Sequence, residues 1–331
     1  MRKSLSACKE AHPLLSFLGG VLNMDPFMPW RKKDKVVILM GATGTGKSRL
    51  SIDLASHFPA EIINSDKIQV YQGLDVVTNK ITQEDCLGVP HHLLGVVNPE
   101  ADFTATDFKK HASLAVESIV RRDRLPIIAG GSNSFIKALM NDEFRSRYAC
   151  CFLWVDVSLP VLHSFVSDRV DKMVESGLVD EARQFFDPDS DKYTRGLRRA
   201  IGLPEMDQFF RAEANVDDET RAALLKMAIN KIKGNTCKLA TYQLKNIRTL
   251  QKQMDCHMHH LDATEAFLKR GQDSNEAWER LVARPSKAII ENFLPRSRRF
   301  WPKSFNPNPA ASVIGAATAS ATNTAVVAAI R

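Results

Sequence analysis

Apolar and polar positions along this chain fall into two regimes. Short, nearly unbroken apolar runs occupy residues 36–40, 61–64, 126–129 and 151–155, and turn-forming residues close each one. Such runs predict parallel strands covered on both faces. Between them the apolar spacing lengthens to a helical period. Residues 49–58 place Leu50, Leu54 and Phe58 on one stripe, and a tight Gly130-Gly131-Ser132 loop leads into a helix from Asn133. From residue 160 to 248 the pattern is helical and highly charged, and 257–261 reads as a last strand. The expected architecture is α/β, a parallel sheet flanked by helices, with a mostly helical subdomain.

The two ends depart from this pattern. Residues 1–34 are basic and acid-poor, and their apolar stretch is too short to span a bilayer, so they read as a leader of the organelle-transit type. Residues 295–309 are rich in proline, arginine and asparagine. The Ala/Ser/Thr/Val tract at 310–330 offers too little transfer energy for an anchor, so 295–331 reads as a disordered tail. The middle divides into a core over 35–158, a helical substrate subdomain over 159–250 and a return to the core over 251–294. The chain has 331 residues, 44 % of them apolar, enough for a full hydrophobic core. Its formal charge of +7 suits anionic ligands without choosing among them. Six cysteines without CxxC spacing suggest a reducing compartment.

The candidate chemistry begins at Gly41-Ala42-Thr43-Gly44-Thr45-Gly46-Lys47-Ser48. This is the spacing of a phosphate-cradling P-loop, set between an expected strand and an expected helix. Its glycines let backbone N–H groups turn inward, the helix N-terminus favours negative charge, Lys47 can meet phosphoryl oxygens, and Ser48 can hold Mg2+. Strand ends carry the ligands in open parallel sheets, which singles out Asp66 and Asp156. Asp66 reads equally as a functional acid or as the cap of a helix starting near Lys67, and Asp156 as a magnesium ligand or a cap. The cluster Arg195, Arg198, Arg199 is either a phosphate clamp or a solvated helix face. His91-His92, placed in a loop, reads as packing groups, and the Cys256–His260 run lacks a second pair of metal ligands.

Several motifs together resemble one family. The loop GATGTGKS is followed by Ile63-Asn64-Ser65-Asp66-Lys67-Ile68-Gln69-Val70-Tyr71 and Gly88-Val89-Pro90-His91-His92-Leu93-Leu94. Further on come Ala129-Gly130-Gly131-Ser132-Asn133-Ser134, Trp154-Val155-Asp156-Val157-Ser158-Leu159-Pro160, Arg169-Val170-Asp171-Lys172-Met173-Val174 and Arg198-Arg199-Ala200-Ile201-Gly202-Leu203-Pro204-Glu205. In this order, over about 35–294, they resemble the isopentenyltransferases, and specifically the plant adenylate isopentenyltransferases that begin cytokinin synthesis. The resemblance implies a P-loop NTPase-like fold and transfer of a dimethylallyl group from dimethylallyl diphosphate to N6 of adenine in ATP, ADP or AMP, with Mg2+. It implies Asp66 as general base, the P-loop with Lys47, Ser48 and Thr43 around the diphosphate, and Arg195, Arg198 and Arg199 on the nucleotide phosphates. With the leader's composition, the expected address is the plastid, with cytoplasm or mitochondrion as alternatives; no nucleic-acid partner is expected, and the tail's composition gives no stable membrane insertion.

One departure bears on the chemistry. The family's late Arg-Gln pair aligns with Tyr242-Gln243, so a neutral phenol stands in the place of an arginine that reaches the diphosphate, with Lys238 or Lys245 as candidate substitutes. A milder departure sets Phe135 and Lys137 where the pattern has tyrosine and an acid. The competing functions are a tRNA isopentenyltransferase, which runs the same chemistry on an anticodon adenine, a P-loop small-molecule kinase using Asp156, and a nucleotide-binding module without catalysis.

Overall fold

The computed structural model describes residues 33–189, 192–254 and 256–294. All but the last two residues of the expected leader, and the whole of the expected tail, lie outside that range. Strands β1 (Asp34–Met40), β2 (Ala60–Asn64), β3 (His91–His92), β4 (Leu125–Ala129), β5 (Tyr148–Asp156) and β6 (Met258–Asp262) form one sheet in the order β3-β2-β4-β1-β5-β6. Every pairing is parallel. The five longer strands arise where the apolar runs predict them.

Both sheet faces are buried, because side chains alternate across a strand and helices cover each side. Val36, Ile38 and Met40 of β1 enter one core, and Val37 and Leu39 enter the other. The first core is closed by α2 (Ala105–Arg121), α3 (Asn133–Leu139), α6 (Leu178–Arg183), α7 (Leu203–Ala212) and α8 (Asp218–Met254), with Phe108 stacked on Phe135. The second is closed by α1 (Lys47–His57), α5 (Leu159–Glu175), α10 (Gly271–Trp278) and α11 (Arg284–Phe293) around Trp278. The short helices α4 (Asp142–Arg147) and α9 (Thr264–Leu268), a 3-10 turn at Gly196–Arg199 and a π-helical stretch at Glu279–Ala283 make up the remaining helical elements among the described residues.

Three local outcomes differ from the sequence pattern. His91 and His92 are not loop residues; they form the edge strand β3, too short for any periodicity to reveal. Their rings serve hydrogen bonding, His91 Nδ1 to the Val89 carbonyl (2.8 Å) and His92 Nε2 to Glu61 (2.7 Å). Burial pushes the Glu61 carboxyl up, but bonds from Arg122 and His92 outweigh it and hold the group below its ordinary range. Second, the expected helix at Lys67 is only a turn. Third, α2 declares itself by a reciprocal cap the pattern missed: Thr104 accepts from the Asp107 N–H, and Asp107 accepts from the Thr104 N–H.

Candidate active site

The site lies where the carboxyl ends of β1, β2 and β4 meet. The P-loop connects β1 to α1, so the central strand delivers Gly41 and Ala42 to the sheet's edge while α1 begins at Lys47. Inside the loop, the Ala42 carbonyl accepts from the Thr45 hydroxyl (3.0 Å) and from Lys47 Nζ (2.6 Å). Thr45 is wholly buried, while Ser48 is exposed on the first helical turn.

Asp66 follows β2, which is separated from β1 by β4. Absent side chains close that gap. A Cβ at Gly130, just past β4, would sit 2.3 Å from the Ser65 carbonyl carbon and 2.6 Å from the Asp66 nitrogen, so only glycine lets these two strand ends converge. A Cβ at Gly131 would meet Gln243 Nε2 at 2.5 Å and Asp66 Oδ2 at 3.5 Å. Asp66 therefore faces the P-loop across a glycine floor.

The two oxygens of Asp66 are unlike. Oδ1 accepts from the Ile68 N–H (3.0 Å) and the Gln69 N–H (3.4 Å), pinning the carboxylate over its own turn. Among the described residues no donor reaches Oδ2 in a hydrogen bond. Functional acid and cap are thus compatible in one side chain. Buried Asn64 steadies it from behind: its Oδ1 accepts from the Asp66 N–H (3.1 Å), and its Nδ2 donates to the Leu93 carbonyl (2.9 Å).

Two residues in the site carry no P-loop signature. Arg169 of α5 donates from Nη2 to the Thr43 hydroxyl at 3.0 Å, and its Nε is buried without a partner. Gln243 of α8 accepts from the Thr43 N–H (2.7 Å) and donates to the Gly131 carbonyl (3.0 Å), tying the P-loop to the β4 end. Each interrupts an apolar stripe, Val166-Arg169-Val170 on α5 and Ala240-Gln243-Leu244 on α8. A polar side chain on a core-facing stripe is the signal that would have found them.

The cations are crowded. Burial draws the Lys47 ammonium down to about 8, with Asp66 opposing that shift and Arg169 adding to it. Burial draws Arg169 to about 10, again opposed by Asp66. Lys47 is thus charged below pH 8 and loses its proton as pH rises through it. An anion bound by Lys47 should therefore bind less well in alkali. We expect kcat/KM for a diphosphate substrate, which reports groups on the free enzyme, to fall with an inflection near pH 8 that Lys47→Arg removes. A flat profile to pH 9 would refute it.

The arginine cluster is not drawn into this site. Arg195 pairs with Asp102 (2.9 Å), and Arg198 with Glu100 (3.4 Å) and Asp187 (3.9 Å). Arg199 donates to the Gly196 carbonyl (3.2 Å) and the Tyr71 hydroxyl (3.5 Å). The cluster forms a 3-10 turn against the 98–102 loop, since the Leu197 N–H bonds the Pro99 carbonyl. Tyr242 is 63 % exposed and Lys238 and Lys245 are exposed too, so none of the three packs against the P-loop as Arg169 does through Thr43. Asp156 is engaged by the Val157 N–H (3.0 Å) and by His260 of β6 (3.1 Å), locking two strand ends.

The donor set available to a metal is sparse. Among the described residues no cluster of three or more His, Cys, Asp or Glu could hold one. The exposed Ser48 hydroxyl fits an ion that takes most of its oxygens from a substrate diphosphate and water, as Mg2+ does.

Comparison with known proteins agrees with the motifs. The family model described as IPP transferase matches residues 69–148 and 140–250. Adenylate isopentenyltransferase 5, chloroplastic, of Arabidopsis thaliana is 61 % identical, over 90 % of this chain and 91 % of that protein. Adenylate isopentenyltransferase 7, mitochondrial, from the same plant is 51 % identical, over 88 % and 90 % of the two chains. Among solved structures, a eukaryotic dimethylallyltransferase acting on tRNA superposes with a TM-score of 0.68 at 23 % identity, covering 81 % of this chain and 82 % of that one. At that identity the last likeness establishes the fold.

Proposed function

The chain belongs to the adenylate isopentenyltransferase family, and from that membership we propose that it transfers the dimethylallyl group of dimethylallyl diphosphate to N6 of an adenine nucleotide, ATP or ADP before AMP, as the first step of cytokinin synthesis. The observation that carries the reading is the split role of Asp66, one oxygen anchored and the other free and turned to the P-loop. An exocyclic adenine amine is a weak nucleophile, because its lone pair is delocalised into the ring. Taking its proton as the new bond forms is the task of a fixed carboxylate with an open oxygen.

The reaction balances on these residues. The C1–O bond of the donor breaks and its electron pair leaves on diphosphate; the C1–N6 bond forms; the N6 proton passes to Asp66 Oδ2. Lys47, the loop amides and Arg169 offset the charge growing on the leaving group, where preorganised donors count most. Thr43 holds Arg169 to the loop and Gln243 holds the loop to the β4 end. A Mg2+ ion at Ser48 would neutralise further diphosphate charge. Arg169 answers the departure at Tyr242, since it already places a guanidinium beside Thr43. Arg199, which donates to the Gly196 carbonyl and the Tyr71 hydroxyl, is the member of the cluster that remains a candidate for the acceptor's phosphates.

The deciding assay incubates the purified protein with dimethylallyl diphosphate, Mg2+ and each adenine nucleotide, then detects an isopentenyl adduct by mass. Adduct on ATP and ADP supports the reading; phosphate transfer without adduct supports a kinase. Two further outcomes are expected. Tyr242→Arg should leave turnover within about twofold, since an exposed side chain contributes little, and a tenfold gain would show that Arg169 does not fill the role. Residues 1–34 fused to a fluorescent protein should enter plastids, as the name of the chloroplastic relative suggests; a mitochondrial or diffuse cytosolic signal would overturn that address.

A further inference from the structure

Helix α8 carries an unusual charge pattern that the site does not use. From Arg221 to Met254 it has eight basic residues and no acid. Four of them, Lys231, Lys238, Lys245 and Lys252, recur every seven residues, which puts them in one row along the helix. At 1.5 Å per residue the row has a spacing of about 10.5 Å and a length of about 32 Å. All four are exposed, and none has a carboxylate partner among the described residues; Lys231 and Lys238 reach only Gln208 and Asn235, each at 3.4 Å. Lys233, one face over, is the lysine of this stretch that is paired, to Asp171 (2.6 Å).

Two further observations point outward from the same row. Tyr242 (63 % exposed) and Leu239 (37 % exposed) stand beside the lysines as uncovered apolar side chains. Gly234 lies between Lys231 and Lys238, exposed, and a Cβ there would meet nothing within 4 Å. Internal packing therefore does not require glycine, although in mid-helix it is unfavourable relative to alanine. A smooth, close approach by an external body is a use for it.

We propose that this face of α8 docks the protein reversibly on an anionic lipid surface. A straight, evenly spaced row of ammonium groups matches a plane of phosphate headgroups, and Tyr242 and Leu239 supply the apolar contacts that settle into the interfacial layer. Nucleic acid is the less fitting partner. The row is built of lysines, which act as point charges, rather than the arginine forks suited to phosphate and base edges, and it offers one aromatic ring where strand binding uses several. The turn that presents Tyr242 and Lys245 outward also presents Gln243 inward to Thr43, so a docked membrane would lie within one helical turn of the P-loop's anchor.

Sedimentation of the full chain with vesicles tests this. We expect binding to phosphatidylglycerol-containing vesicles at low salt, none to pure phosphatidylcholine, and release at high salt as screening shortens the reach of the lysines. Each lysine is worth about fivefold in partitioning. The Lys231→Gln/Lys252→Gln pair should thus weaken binding by about 25-fold and the fourfold Lys→Gln variant by several hundred-fold, while the fourfold Lys→Arg variant still binds. Thermal melts establish that each variant is folded, and the milder pair stands in if the fourfold variant is not. Unchanged binding in the folded Lys→Gln variants, equal binding to neutral vesicles, or lysine-dependent binding to RNA with none to vesicles would each overturn the proposal.

Discussion

Asp66→Asn is expected to lower prenyl transfer by about 10²- to 10⁴-fold, the usual range for losing a general base. The substitution keeps the size of the side chain and can keep its anchor. An amide oxygen still accepts from the Ile68 and Gln69 N–H groups, as Oδ1 does now. What is lost is the basicity of the second oxygen and the negative charge facing Lys47 and Arg169. Nucleotide and diphosphate binding should be retained, and diphosphate binding is expected to tighten, because a like charge has left its pocket. Calorimetric titration beside a single-turnover rate separates the two effects. A rate within threefold of the original would remove Asp66 from the chemistry and return it to the capping role that its turn also supports.

Lys47→Ala should follow at about 10²- to 10³-fold in rate, comparable to removing one preorganised donor from a developing oxyanion. Its ammonium is held within the loop by the Ala42 carbonyl (2.6 Å) and is the only lysine whose proton affinity burial has pulled to about 8 among the described residues. The loss should fall on dimethylallyl diphosphate more than on the nucleotide, since the prenyl donor is the ligand assigned to the loop. Arg169→Ala makes the informative companion. With the guanidinium gone, Thr43 loses its partner (3.0 Å) and the leaving group loses a second cation. The two residues serve one anion, so their effects should not add. If Lys47→Ala instead abolished ATP binding and spared the prenyl donor, the loop would be a nucleotide site and the kinase reading would return.

The strands and the P-loop were legible because their signals are local. A run such as Val36–Met40 is apolar on both faces whatever lies beyond it, and the glycine, lysine and serine spacing encodes its own turn and helix start. The turn at Lys67 and the edge strand at His91-His92 were not legible. Too few residues form them for a period to emerge, and β3 exists because Glu61 and the Pro90 carbonyl hold it to β2.

Sequence by itself determined the phosphate cradle, the parallel α/β core and the presence of an acid at the end of β2, because each follows from residue type and spacing within a few positions. It also carried the row of lysines on α8, whose period is visible without coordinates. Tertiary structure decided which distant residues complete the site. Arg169 and Gln243 lie 126 and 200 positions from Thr43 and reach it only because α5 and α8 cross the sheet's carboxyl edge. It also decided that Arg195 and Arg198 spend their charge on the acids of neighbouring loops, Asp102, Glu100 and Asp187. A side chain's partner is set by where packing brings the backbone, and no spacing along one segment contains that information.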